Sequence, residues 1–221
     1  MTNEVTNYQS QVPVAYDADV FSAIENSAFT ARLQLITSKS KYGSDGTIPL
    51  NHYAYVSGGV PQDVGATVDA WVYDVRPMAM DNSGNFPIFV HDPKVVEGKA
   101  TGEFKRIMEQ STVSDSGCSY GLEFLMYIPV KKGFATFFMG SKSSRQLSPF
   151  VKEHLNKPIT LSSKKVEHPK YPYFTPHATE CSTTFELPSE KAVIEEVTKF
   201  RTPKDTVVET VNDGKDNTRE R

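Results

Sequence analysis

Two strand-length apolar segments follow one another with almost no chain between them: GLEFLMYIPV, residues 121–130, and GFATFFMG, residues 133–140. Only Lys131 and Lys132 separate them. A connection this short joins antiparallel neighbours, because parallel strands need a crossover of about a dozen residues or more. The spacing therefore predicts a β-hairpin with a basic tip.

Further strand-like segments recur along the chain and are separated by turn residues. The period-two alternation predicts strands in FTARLQLITS, NHYAYVSGG, GATVDAWVYDVRP, FPIFVH and ITLSSKKVEH, and an extended segment in PKYPYFTPH. In the third of these, Trp71 and Tyr73 share a face with Asp69, opposite an aliphatic face. MAMDNSGN is predicted as a turn.

Three segments show helical spacing instead. Residues 99–110 place Phe104 and Ile107 three positions apart on one face. SSRQLSPFVKEHLN is predicted as two helical pieces, because Pro149 starts a helix but cannot lie inside one. LPSEKAVIEEVTKF is predicted as a helix capped by Ser189.

Many strands with short connections and few helices favour a mostly β fold with peripheral helices, rather than a doubly wound sheet. We expect an OB-like antiparallel β-barrel with extensions over residues 28–200, with inserted and C-terminal helices. Residues 1–27 have weak patterning and are expected to form an N-terminal arm. Residues 201–221 lack a core pattern and are expected to be a disordered tail.

Charge is distributed unevenly along a chain of net charge −3. Residues 129–175 carry nine basic and two acidic groups, whereas residues 1–98 carry eleven acidic and five basic groups. Such asymmetry is typical of a protein with a polyanionic partner. The alternative is a solvated basic face that is balanced by acidic neighbours in space.

Two short patterns resemble enzyme motifs but fail on context. Gly140 is followed by Ser141 and only then by Lys142, so the spacing of a phosphate-binding loop is absent. GCSYG fits the hydrolase pattern G-x-S-x-G, but polar residues precede it and a strand follows it, the reverse of a nucleophile elbow. We therefore expect no enzymatic activity.

Metal sites, cofactors and membrane spans are not expected either. His168 and His177 are nine residues apart, outside the usual ligand spacings, and the two cysteines form no metal-type pair. No run approaches the roughly 18–20 apolar residues of a membrane helix, and the N-terminus is polar, unlike a signal peptide. A reducing cytoplasm is the expected location.

The remaining signal is the interleaving of basic and aromatic residues. This combination suits single-stranded nucleic acid, because cations follow the phosphates while exposed rings stack on bases. The alternative is that most of these rings pack in the core. The candidate phosphate contacts are Lys131, Lys132, Lys142, Arg145, Lys164, Lys165 and Lys170, and the candidate stacking residues are Trp71, Tyr171 and Tyr173.

The run FATFFMGSKSSRQLSPFVKEHLNKPITLSSKKVEHPKYPYFTPH, with RLQLITSKSKYGSDGTIPLNHYAYVSGG upstream, resembles bacteriophage-encoded OB-like proteins. These are associated with replication modules and single-stranded DNA binding, and the likeness covers about residues 29–200. It implies a five-stranded barrel with added elements, a groove that tracks a strand without reading its sequence, and replication proteins as partners. Many such proteins end in a strongly acidic tail, whereas this chain ends in DNTRER.

The sequence thus predicts a non-enzymatic single-stranded DNA-binding protein of a phage replication or recombination system in the host cytoplasm. RNA as the ligand and homo-oligomer formation are left open. The main alternative is a phage or viral structural protein that assembles without nucleic acid. A third is a hydrolase or nuclease assembled from Asp69, Asp74, His91 or Cys118.

Overall fold

The computed structural model describes residues 31–38, 40–84, 88–91, 95–96, 99–113, 116–140, 145–167 and 173–202. Within these ranges the chain forms eleven strands and four α-helices. The strands are β1 (Ala31–Leu35), β2 (Tyr53–Ser57), β3 (Val60–Gly65), β4 (Val68–Asp81), β5 (Ile88–His91), β6 (Val95–Val96), β7 (Lys99–Ala100), β8 (Cys118–Ile128), β9 (Gly133–Met139), β10 (Lys157–Val166) and β11 (Tyr173–Glu180).

Nine of these strands form one sheet in the order β11-β10-β4-β8-β9-β1-β2-β3, with β5 paired to β4. Every pairing is antiparallel except that of β1 with β9, which is parallel. The sheet curls into a half-barrel. Its curl brings Tyr53 of β2 to β10, although four strands lie between them in the sheet order, and the Tyr53 hydroxyl donates to the Ser162 carbonyl over 2.6 Å.

The inner face of the curled sheet holds the main core. β4 contributes Val68, Ala70 and Val72, each 2 % exposed or less, and the other central strands add Phe124 and Phe137. Burying an aliphatic or aromatic side chain of this size contributes about 1.5–3 kcal/mol. The opposite side of the sheet is called the outer face below.

Four helices lie against the sheet: α1 (Lys41–Ser44), α2 (Gly102–Gln110), α3 (Ser148–Glu153) and α4 (Glu190–Arg201). α2 buries Phe104 and Ile107 against β4 and β8, while α3 packs Val151 into the inner core. α4 ends on the outer face, where the Phe200 ring lies 4.2 Å from the Arg76 guanidinium. Ser189 caps α4 by accepting from the Ala192 N–H over 3.4 Å.

Most of the predicted elements are confirmed. β1 alternates buried and exposed residues along ARLQL, and β8 and β9 form the hairpin predicted from their spacing. Pro149 lies in the first turn of α3, and Ser189 is the N-cap of α4.

Two element boundaries and one strand differ from the predictions. MAMD is not a turn but the end of β4, because Met78 and Ala79 pair with both β5 and β8. The helix predicted over residues 99–110 begins only at Gly102, since Lys99–Ala100 pairs as β7. β3 was not predicted, because its sequence VPQDVG is polar and contains Pro61, which is tolerated at a sheet edge.

The fold is therefore mostly β with few helices, as predicted. Its main sheet has nine strands within the described residues, more than the five of the barrel that the resemblance implies. The arm over residues 1–27 lies outside the described residues, as does the tail from residue 203 onwards.

Candidate nucleic-acid interface

Three aromatic residues form a row across the outer face, called the ring row below: Trp71 on β4, Tyr127 on β8 and Phe134 on β9. The register places Trp71 opposite Tyr127 and Tyr127 opposite Phe134. The rings of Tyr127 and Phe134 meet edge to face with centroids 5.5 Å apart. Trp71 and Phe134 are half-buried, whereas Tyr127 is buried between them.

Tyr73 joins the ring row through a β-bulge. Tyr73 has no partner in the β4–β8 register, which passes from Val72 directly to Asp74. Its ring lies 5.7 Å from Phe134 and 6.4 Å from Trp71. The extra residue also shifts the alternation, so that Asp74 follows on the outer face while Val75 packs against the inner core.

The basic hairpin tip lies at one end of the ring row. β8 ends at Ile128, a short 3₁₀ turn spans Pro129–Lys131, and Phe134 is the second residue of β9. Lys132 is exposed, and Lys131 donates to the Gln62 side chain of β3 over 2.5 Å. The structure therefore brings the predicted Lys131, Lys132 and Trp71 to the same end of the sheet.

Lys164 and Tyr173 lie further along the same face. Val166 pairs with Tyr173 in the β10–β11 register, and Lys164 alternates with Val166 on the outer side. Pro158, which pairs with Trp71, lies six residues before Lys164, or about 20 Å along an extended strand. Lys165 points to the other side of β10, where it forms a 2.8 Å ion pair with Glu167.

Arg145 is separated from the ring row. Its guanidinium stacks 4.2 Å from the ring of Tyr120, which lies near the start of β8 and packs with the cluster beneath α2. This position is at the opposite end of β8 from the hairpin tip. The remaining predicted contacts, Lys142, Lys170 and Tyr171, lie outside the described residues.

The electrostatics of the ring row keep its phenols neutral. Burial raises the pKa of Tyr73, and the neighbouring Tyr127 adds to the effect. Burial also raises the pKa of Tyr127, and the charge of Glu186 raises it further. The Asp69 carboxylate accepts from the Thr160 hydroxyl over 2.6 Å. The rings can therefore stack and donate hydrogen bonds, but they supply no base at neutral pH.

A charged cluster lies beside the ring row on the outer face. Glu123 is 6 % exposed and accepts from the Arg76 Nε over 2.8 Å, while His91 Nε2 lies 3.2 Å from the same carboxylate oxygen. Asp74 accepts from Arg201 at the end of α4 over 2.6 Å. Asp74 and His91, two of the residues considered for a hydrolase, are thus used in contacts of α4 and β5 with the sheet.

The residues predicted from the sequence to stack did not include Tyr127, Phe134 or Phe185. Tyr127 was predicted only as part of an apolar strand, and Phe185 was not singled out at all. The cross-strand register that makes Tyr127 the centre of the ring row has no signal in the local sequence. Phe185 lies in a segment without helix or strand, where its ring meets Trp71 edge to face at 6.2 Å.

The comparisons with known proteins identify no relative: no family model, curated protein or solved structure matches this chain. The described residues hold no group of three or more histidine, cysteine, aspartate or glutamate side chains placed to bind a metal ion. None of the described helices combines the length and the apolar character needed to cross a membrane.

Proposed function

We propose that this chain binds single-stranded DNA without reading its sequence, as part of a phage replication or recombination system in the host cytoplasm. One observation carries the proposal. The ring row of Trp71, Tyr127 and Phe134 crosses three strands of the outer face and ends at the hairpin tip with Lys131 and Lys132.

The aromatic rings and lysines of this surface suit a flexible ligand with flat bases and a negatively charged backbone. Trp71 and Phe134 are the half-buried rings of the row. Stacking on such rings tolerates any of the four bases and is worth about 1–3 kcal/mol per base. Lys131 and Lys132 provide positive charge at one end of the row, and Lys164 provides it about 20 Å further along the outer face. Tyr173, which is 36 % exposed, lies beside Lys164 as a second stacking candidate.

The curled antiparallel sheet supports an OB-like description of the domain. OB-folds bind oligonucleotides on the outer surface of strands in a partly open barrel, and the ring row lies on such a surface. The nine-stranded sheet and its parallel β1–β9 pair would then be elaborations of that architecture.

A binding measurement with a matched pair of variants tests the proposal. Fluorescence anisotropy of a labelled oligo(dT) should show binding at about 50 mM salt, with log affinity falling linearly against log salt, by ~0.7 per phosphate contact. The double variant Lys131→Glu/Lys132→Glu should weaken binding at least about tenfold and flatten the salt slope by ~1.4.

The control is Lys105→Glu/Lys152→Glu, which makes the same charge change at exposed positions of α2 and α3. It should leave affinity within about twofold of the unsubstituted protein, because screening at this salt weakens distant charges. Equal losses of affinity in both double variants would show that binding depends only on the net charge of the protein. No binding by the unsubstituted protein would disprove the proposed function.

Assembly without nucleic acid is the second candidate, and the sheet edges favour it. Within the described residues β3 and β11 have a partner on one side only, and β11 is eight residues long. An open edge is a template for pairing with a second copy. Light scattering distinguishes the two functions: a discrete large assembly that persists without nucleic acid would support this one.

A further inference from the structure

One segment of the chain lies directly over the ring row. Residues 182–188, called the strap below, connect the end of β11 to the N-cap of α4. Within the described part of the chain, the strap makes no backbone–backbone hydrogen bond. The flanking residues are fixed, since the Cys181 N–H donates to the Pro158 carbonyl and Ser189 caps α4.

The strap contacts the sheet through the ring of Phe185. Phe185 is half-buried against Trp71, with an interplanar angle of 86°. Its neighbours Thr184, Glu186 and Leu187 are exposed, and Leu187 retains 42 % of its accessible surface. The Thr183 carbonyl of the strap accepts from the Cys181 thiol over 3.8 Å, and lifting the strap breaks no ladder of backbone hydrogen bonds.

The strap places two side chains near the ring row, Phe185 and Glu186. One is aromatic, like a base, and the other is negatively charged, like a phosphate. The Phe185 ring lies 6.2 Å from the Trp71 ring, within the space that a base approaching Trp71 from that side would occupy. Glu186 brings a negative charge close enough to Tyr127 to perturb its hydroxyl, as a phosphate in the same place would. A strand stacked along the ring row and the docked strap therefore require the same surface.

We propose that the strap is an autoinhibitory cover of the ring row, which single-stranded nucleic acid must displace before Trp71 can stack on a base. This inference rests on the proposed function and describes how the strap regulates binding to the ring row. Because β11 and α4 hold the two ends of the strap, displacement moves only these seven residues and leaves the sheet intact. The apparent affinity is then the intrinsic affinity reduced by the fraction of molecules with an open strap.

The experiment compares Phe185→Ser with Leu187→Ser, two apolar-to-polar changes two positions apart on the same strap. Phe185→Ser removes the ring that holds the strap, whereas Leu187→Ser changes an exposed side chain. The first should tighten oligo(dT) binding by about tenfold, as expected if the strap is closed in about nine molecules of ten. The second should leave affinity unchanged. Phe185→Leu keeps an apolar anchor and should lie between the two.

Trp71 is the single tryptophan of the chain and provides a readout that needs no nucleic acid. Phe185→Ser should shift its emission to longer wavelength and increase its quenching by acrylamide, while Leu187→Ser should do neither. In the unsubstituted protein, oligonucleotide binding should quench the Trp71 emission, because a base takes the place of Phe185 beside the indole ring.

The outcomes separate this inference from the proposed function. If the unsubstituted protein binds oligo(dT) and Phe185→Ser binds equally or more weakly, the strap is no cover, and the proposed function stands. If Phe185→Ser binds and the unsubstituted protein does not, the strap covers a binding surface and this inference stands, while the proposed function fails for the unsubstituted chain. If neither binds at about 50 mM salt, the low end of the range over which such contacts weaken, the proposed function fails and this inference fails with it.

Discussion

Glu123 shows how single residues hold the outer face together. It is a buried carboxylate on a central strand, with Arg76 beside it and His91 at 3.2 Å. Arg76 in turn stacks on Phe200 and donates to the Phe200 carbonyl, which ties the end of α4 to the sheet. Removing one partner of such a pair leaves the other buried without compensation.

Glu123→Gln should lower the free energy of unfolding by about 3–5 kcal/mol at pH 7. Burial alone would raise the pKa of Glu123, but His91 and Arg76 outweigh it, so the folded pKa lies below the ordinary value. The charged form therefore stabilises the fold above about pH 4.3, and this contribution is lost as the pH falls through the folded pKa.

Denaturant unfolding at several pH values measures this dependence. The difference between the unsubstituted protein and Glu123→Gln should shrink as the pH falls from about 5 towards 3. Glu109→Gln is the control, since Glu109 is exposed on α2 and its ion pair with Lys105 is 3.7 Å long. A constant difference across this range would contradict a stabilising charge on Glu123.

At the scale of elements, the β8–β9 hairpin combines structure and candidate function. Its strands are eleven and seven residues long, and its turn closes through a hydrogen bond from the Lys132 N–H to the Pro129 carbonyl. Lys132 adopts the left-handed conformation, with φ of 49°. A residue with a Cβ is disfavoured there, and glycine is the residue that usually occupies such a position.

Lys132→Gly should therefore raise the free energy of unfolding by up to about 1 kcal/mol, because glycine relieves the strain at this φ. The same change should weaken oligonucleotide binding if Lys132 contacts a phosphate. Thermal unfolding measures the first effect, and anisotropy measures the second. Gain of stability with loss of binding would indicate that the lysine is kept at a strained position for its charge.

Lys131→Gly is the matched control for this change. Lys131 lies in the 3₁₀ turn with an ordinary negative φ, so glycine relieves no backbone strain there. Glycine only increases the entropy of the unfolded chain. It should lower stability by about 0.5–1 kcal/mol. Equal effects of glycine at both positions would show that backbone strain at Lys132 is unimportant.

At the scale of the whole molecule, the curl of the sheet determines which distant strands come into contact. The contact from Tyr53 to the Ser162 carbonyl spans strands that are far apart in the sheet, and Tyr53 is fully buried beside Phe137. Burial raises the pKa of Tyr53 well above its ordinary value, so its hydroxyl remains a donor throughout the physiological range. This hydrogen bond links the two halves of the half-barrel.

Tyr53→Phe should lower the free energy of unfolding by about 1–2 kcal/mol, because the Ser162 carbonyl loses its donor without gaining water. For a chain of this size that corresponds to a fall of about 2–8 °C in Tm. Tyr55→Phe is the control, since the Tyr55 hydroxyl donates to Phe134 over a longer 3.1 Å and Tyr55 is only half-buried. The loss should be smaller there, and a larger loss would contradict this role of Tyr53.

The sequence by itself determined the local elements. The β8–β9 hairpin follows from two apolar runs separated by two lysines, and α4 follows from its apolar spacing and the cap at Ser189. These features depend on residues within about a dozen positions of one another, where propensity, alternation and capping act. The same reasoning separated the aliphatic face of β4 from the face with Trp71.

Only the tertiary structure decided which residues meet. The parallel pairing of β1 with β9 joins Ala31 to Ala135, and the ring row depends on a register across three strands together with a bulge at Tyr73. Phe185 reaches Trp71 from more than a hundred positions away. Such contacts depend on loop closure and on the packing of whole faces, which no local pattern encodes. The sequence therefore identified lysines and rings as candidates, and the fold placed some of them together on one surface.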